Sequence, residues 1–222
     1  MESHIVKIKT IKQVTHDVKS FRIEKPAGYV FNPGQATEVA INKDGWKEER
    51  RPFTFTSLNN EPTLEFTIKR YADHNGVTNQ IHQLAPGDEL ILHDVWGAIE
   101  YKGPGYFIAG GAGITPFLAI LRQLHRDNQM AGNTLFFSNK TAADVIYEAE
   151  LKEILGTNAI NILSREQKDG YENGKIDEHY LRSHVSDFNK HFYVCGPDKM
   201  IADINATLEK LGASADSVVF EK

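Results

Sequence analysis

Apolar and polar residues alternate with a period of two at the start of the chain. Ile5, Val6, Ile8 and Ile11, then Val18, Phe21 and Ile23, predict two strands within residues 4–24, with a turn near Thr15-His16-Asp17. Pro26-Ala27-Gly28 and Asn32-Pro33-Gly34 punctuate the following loop. Further strands are predicted over 36–41, 51–57, 63–70 and 89–93. A short helix is expected from Gly76-Val77-Thr78 through Leu84, with Thr78 as its cap. Many short strands and one helix predict a small antiparallel barrel.

The pattern changes at Lys102-Gly103-Pro104-Gly105, the expected boundary between a barrel domain over 1–102 and a second domain over 103–222. Beyond it, strands over 106–109, 134–138, 159–164, 192–195 and 218–220 alternate with helices over 115–126, 143–154, 178–184 and 197–211. That alternation predicts a doubly wound parallel sheet, so the expected fold class is an antiparallel β-barrel followed by an α/β domain.

The first strand of the second half runs into Gly110-Gly111-Ala112-Gly113-Ile114-Thr115-Pro116 and then an apolar helix. Glycines let a backbone approach a phosphate closely, and a helix N-terminus offers unpaired N–H groups. Pro116 suits the first helical turn, but it stands where G-x-G-x-x-G has its third glycine. Alone, the turn fits either a dinucleotide site or a plain strand–helix turn.

Composition narrows the classes. Of the 222 residues, 41% are hydrophobic and 25% charged, an ordinary globular mix. The net charge of -5 argues against a nucleic-acid partner. No secretory signal and no apolar run of bilayer length is visible, so neither secretion nor stable membrane association is expected. A single cysteine, Cys195, excludes an internal disulfide and an iron–sulfur cluster held by this chain's cysteines alone, and it suits the cytoplasm. The nine histidines are scattered, with no H-E-x-x-H and no zinc spacing, so no metal site is expected. No G-x-S-x-G supports hydrolase chemistry.

Four motifs stand in order: Arg51-Pro52-Phe53-Thr54, Gly76-Val77-Thr78, the glycine turn from Gly110 to Pro116, and Cys195-Gly196-Pro197. Together they resemble the ferredoxin–NADP reductase family, over nearly the whole chain. The resemblance implies a flavin-binding barrel and a nicotinamide-binding α/β domain, with FAD and NADP as cofactors and NAD as the alternative. Chain length is most similar to stand-alone ferredoxin or flavodoxin reductases. It implies hydride transfer from NAD(P)H to FAD and single-electron delivery to a flavodoxin or ferredoxin, by a monomer. The alternatives are a free-flavin or ferric reductase, and a non-catalytic electron-transfer or nucleotide-sensing subunit.

The same resemblance assigns residues. Arg51 matches the arginine on the flavin pyrophosphate, a task suited to a planar, permanently charged fork. Phe53 stands in place of the usual stacking tyrosine, and Thr54 in place of a serine at flavin N5. Thr67-Ile68-Lys69 resembles the strand beside the adenylate side, and Gly76-Val77-Thr78 a Gly-x-x-Ser/Thr motif one residue short. Cys195 matches a cysteine beside nicotinamide C4, with a positioning role or a merely structural one. Phe220 is the candidate aromatic shield, or else a packing residue of the last strand, with Glu221 and Lys222 after it. The NADPH reading rests on Ser164-Arg165, which resembles a 2′-phosphate segment, with Lys140 and Lys168 as added charge. Lys7, Lys9, Lys12, Lys47 and Arg50 are candidate docking cations for an acidic acceptor.

Overall fold

The computed structural model describes residues 3–73, 75–97 and 99–220. The first half forms β1 (His4–Thr15), β2 (Val18–Glu24), β3 (Ala36–Ile41), β4 (Arg51–Thr54), β5 (Thr63–Lys69), α1 (Val77–Ile81) and β6 (Glu89–Trp96). Their order is β4-β3-β6-β1-β2-β5, with every pairing antiparallel. A bridge between Phe55 and Phe66 joins the two edges and closes the sheet. Inward residues, among them Ile8, Phe21, Phe55, Phe66 and Leu92, fill the barrel. A five-residue helix is marginal alone. Val77 and Ile81 anchor α1 in the barrel core, each burial contributing about 1.5–3 kcal/mol.

Three local expectations change here. Gly76, not Thr78, is the N-cap of α1, and no side chain caps it; Thr78 lies inside the first turn. The fourth strand ends at Thr54, because Phe55 turns into the closing bridge. The sixth strand runs on to Trp96, because β3 continues to pair with it as far as Ala36.

The second half forms β7 (Gly105–Gly110), α2 (Thr115–Arg126), β8 (Thr134–Asn139), α3 (Glu148–Leu155), β9 (Ala159–Leu163), β10 (Glu172–Asn173), α4 (Glu178–His184), β11 (His191–Cys195), α5 (Asp198–Lys210) and β12 (Val218–Phe220). The sheet is parallel, in the order β10-β9-β8-β7-β11-β12. Strand order reverses between β7 and β11, the crevice where such sheets take ligands. One face is covered by α2 and α3, and Val18 of the barrel joins that apolar cluster, so the barrel packs on the same side. Leu181, Ile204 and Leu208, from α4 and α5, cover the other face.

The helix expected over 143–154 is broken. A 3-10 turn spans Ala142–Asp144 and carries a capping box between Thr141 and Asp144. Val145 is extended and buried, and Tyr147 is left-handed at φ 52° before α3 begins. The short strand β10 is additional. Asn173 ties it to β9 by donating to the Leu163 carbonyl at 3.1 Å.

Candidate active site

The crevice between β7 and β11 is built by glycine. After β7 the chain makes a 3-10 turn over Gly111–Ile114, and α2 follows at Thr115 with Pro116 in its first turn. Gly111 is left-handed at φ +53°. A Cβ on Gly110 would strike Met200 of α5, and one on Gly113 would strike the Cys195 carbonyl. The close approach of the two strand ends therefore requires Gly113, and the left-handed turn favours Gly111.

A cleft of about 830 Å³ opens over this turn. Gly110, Gly111, Gly113, Thr115, Lys140, Ser164, Cys195, Gly196 and Pro197 line it. A second cleft of about 400 Å³ adjoins it, lined by Pro52, Phe53, Thr54, Thr67, Ile68, Lys69 and Thr78 of the barrel, and by Ala112, Thr115 and Gly196 from across the contact. Arg51 and Gly76 share a third concavity of about 650 Å³. Sequence motifs far apart in the chain are thus gathered on one continuous surface.

Five of the expected residues lie off these walls, among them Lys168, whose ammonium stands 5.4 Å from the centre of the Tyr171 ring. Val77 is buried in the barrel core and Pro116 in the helix start. Arg165 is exposed beside the large cleft, its N–H donating to the Lys140 carbonyl at 2.9 Å. Phe220 pairs with Val194 at the sheet edge and packs against the α4–α5 core rather than into either cleft. Glu221 and Lys222 lie outside the described residues.

Other residues enter the walls without having been singled out. Trp96, 42% exposed, lines the smaller cleft, and Tyr71, 52% exposed, lines both. An aromatic directly before Gly97 was the available signal for Trp96; Tyr71 offered none beyond being aromatic in a polar loop. His16 and Asp17, at the β1–β2 turn, reach over the large cleft toward Asp144.

Electrostatics sort these groups. Burial pushes the Asp17 carboxyl up, but Lys69 at 3.1 Å and the Thr15 hydroxyl hold it below its ordinary value. Candidate ligand atoms of His16, Asp17 and Asp144 lie within 4.8 Å of one another, yet Asp17 is committed to Lys69, and Asp144 accepts from Thr141 at 2.8 Å. Arg50 faces Glu38 and Glu48, at 3.7 and 3.6 Å, and Lys47 faces Asp44. Arg51 makes no ion pair among the described residues; its guanidinium donates only to the Arg50 carbonyl, at 2.6 Å. An uncommitted arginine, a half-buried Phe53 and a cradle that a Cβ would fill suit an anionic, flat-ringed nucleotide cofactor.

Comparison with known proteins agrees. Residues 5–101 match the oxidoreductase FAD-binding domain model, and residues 107–206 match the oxidoreductase NAD-binding domain model. The reductase component of propane 2-monooxygenase from Rhodococcus jostii is 27% identical over 97% of this chain and 62% of its own length. The chain thus spans about three fifths of the length of the curated relatives it matches. A ferredoxin NADP+ reductase from Neisseria gonorrhoeae, solved with bound FAD and NADP, superposes with a TM-score of 0.87 at 20% identity, covering 100% of this chain and 98% of that one. The FAD/NAD binding domain of nitric oxide dioxygenase from Vibrio cholerae also gives 0.87, at 21% identity, covering 98% and 97%. Among the described residues, no helix is long and apolar enough to cross a membrane. The two domain models, end to end over this fold, place the chain in the ferredoxin–NADP reductase-like family of FAD- and NAD-binding oxidoreductases.

Proposed function

We propose that the protein is a FAD-dependent NADPH oxidoreductase that delivers electrons to a separate flavodoxin or ferredoxin. The observation that carries this reading is the wall common to both clefts. Lys69, Tyr71, Ala112, Thr115 and Gly196 line the barrel cleft and the parallel-sheet cleft alike. The chemistry a bound FAD supplies is hydride uptake from NADPH, leaving NADP+, then release of two electrons singly to an acceptor and of the proton to solvent.

The chain's own residues bind, orient and exclude water. Arg51 neutralises the flavin pyrophosphate beside the Gly76 backbone. Phe53 supplies an aromatic face, and Thr54 keeps a hydroxyl for the N5 edge. Thr67, Ile68 and Lys69 run alongside the flavin. The glycine turn and the N-terminus of α2 receive the nicotinamide pyrophosphate. Cys195, Gly196 and Pro197 position the nicotinamide, with Cys195 as packing and not as nucleophile. Ser164, Arg165 and Lys140 take the 2′-phosphate. Glu166 is turned to the Ala142 N–H at 2.7 Å.

The propane 2-monooxygenase relative, a reductase component by name, supports delivery to a separate protein. The test is a panel of acceptors offered to the FAD-reconstituted protein with NADPH. Reduction of a flavodoxin or ferredoxin well above that of free flavin and ferric complexes is the expected result. Preference for free flavin would replace the proposal with the free-flavin reductase reading.

A further inference from the structure

A buried guanidinium joins the two halves. Arg122, on α2, donates through Nη1 to the Thr56 carbonyl at 2.5 Å and to Glu65 at 2.9 Å. Its Nε and Nη2 fork onto Glu150 at 2.5 and 2.9 Å, and its guanidinium stands 5.1 Å over the Tyr147 ring. The same Glu65 oxygen accepts the Thr56 hydroxyl at 2.8 Å, and Thr56 lies 3.1 Å from the Thr67 hydroxyl. The side chains of Arg122 and Glu65 are only 16% and 6% exposed. One polar network therefore runs from Thr67, on the wall of the barrel cleft, to Tyr147, beyond the Lys140–Asp144 rim of the large cleft. Arg122, Glu65 and Glu150 themselves line neither cleft.

We propose that Arg122 is a positioning residue, clamping α2 and its glycine turn to β5 so that the two clefts meet at a fixed separation. The inference rests on the function proposed above. Buried ion networks are poor evidence for stability, since apolar replacements are often neutral. A forked guanidinium held on three sides does fix orientation. The fork anchors α2 on the barrel side through Thr56 and Glu65, and on the α3 side through Glu150. Loss of the fork therefore frees the separation of the clefts while leaving each cleft's own lining intact.

The test compares R122M, R122K and E150Q in FAD-reconstituted protein. R122M is expected to retain FAD and to bind 2′,5′-ADP like the wild type. Its flavin reduction at saturating NADPH is expected to fall about tenfold or more, because misplacement by 1 Å costs up to about 100-fold. The long-wavelength charge-transfer absorbance of the nicotinamide–flavin stack weakens with it, and R122K recovers part of both. Small-angle scattering reads a looser arrangement of the two halves in R122M. Wild-type rate and absorbance in R122M, an unchanged scattering profile, or a rate lost only in proportion to lost FAD would overturn the clamp. If R122M does not fold, E150Q decides: a slowed, weakened stack is expected, and wild-type behaviour overturns. A wild-type protein that NADPH and NADH both fail to reduce would sink the proposed function instead, while scattering still judges the clamp.

Discussion

Gly113 lies so close to the Cys195 carbonyl that no side chain fits between them. A Cβ on Gly113 would stand 2.6 Å from the Gly196 nitrogen and nearer still to Cys195. This contact joins the turn after β7 to the end of β11 across the point where strand order reverses. Gly113→Ala is expected to push the two strand ends apart, costing about 1–3 kcal/mol of stability. It should also weaken NADPH and 2′,5′-ADP binding while FAD content stays at the wild-type level. Calorimetric titration and thermal melting check both parts. Unaltered nucleotide affinity would remove the turn from the binding site.

Arg51 is exposed and unpaired with any carboxylate among the described residues, so its charge is available to a ligand. Arg51→Ala is expected to weaken FAD by about 1.5–3 kcal/mol, roughly 10–150-fold, with the parallel-sheet half still folded. Flavin stoichiometry after gel filtration, at falling FAD concentration, reads this directly. Full retention would assign the pyrophosphate to other groups.

Glu65 makes the barrel–α2 network sensitive to acid. Burial pushes its carboxyl up, but the charge and hydrogen bond of Arg122, with Thr56 and Arg22, bring it below the ordinary value of 4.5. A carboxylate held lower in the folded chain contributes stability that is fully present above pH 4.5 and is lost as pH falls through the folded value. Glu65→Gln should cost about 3 kcal/mol at neutral pH. The gap in melting temperature between variant and wild type should narrow steadily below pH 4.5. A gap that stays constant down to acid unfolding would show that Glu65 contributes no charge.

Arg165 stands beside Ser164 and Lys140 at the rim of the large cleft. Removing one charge-assisted phosphate contact costs about 1.5–3 kcal/mol. Arg165→Ala is therefore expected to raise the Michaelis constant for NADPH at least several-fold and to leave that for NADH nearly unchanged. Equal losses for both nucleotides, or a wild type that uses NADH better, would remove the 2′-phosphate from Ser164 and Arg165.

Period-two alternation made the barrel strands legible, and the strand–helix rhythm made the parallel sheet legible, because both patterns are local. The helix over Thr115–Arg126 is bounded as read, since Pro116 and a strong apolar face mark it. What escaped was set by distant partners. Tyr147 takes a left-handed turn after extended Val145 and buried Ile146 have entered the core, and no neighbour signals that. For Phe220 the sequence left a shield and a packing residue equally open, and its packing against the α4–α5 core is set by residues distant in the chain. Trp96 reaches the cleft only because β6 outruns its apolar stretch to stay paired with β3. The union of Glu65 with Arg122, 57 positions apart, leaves no trace in either local sequence.

The most direct test is anaerobic single-turnover reduction. Protein reconstituted with FAD and freed of excess flavin is mixed with NADPH, or separately with NADH, and the flavin absorbance is followed. The expected result is one FAD per chain, bleached by NADPH in a single turnover and more slowly by NADH. A chain that retains neither FAD nor FMN, or a bound flavin that neither nucleotide bleaches, would contradict the proposal that the two clefts form one electron-transfer site.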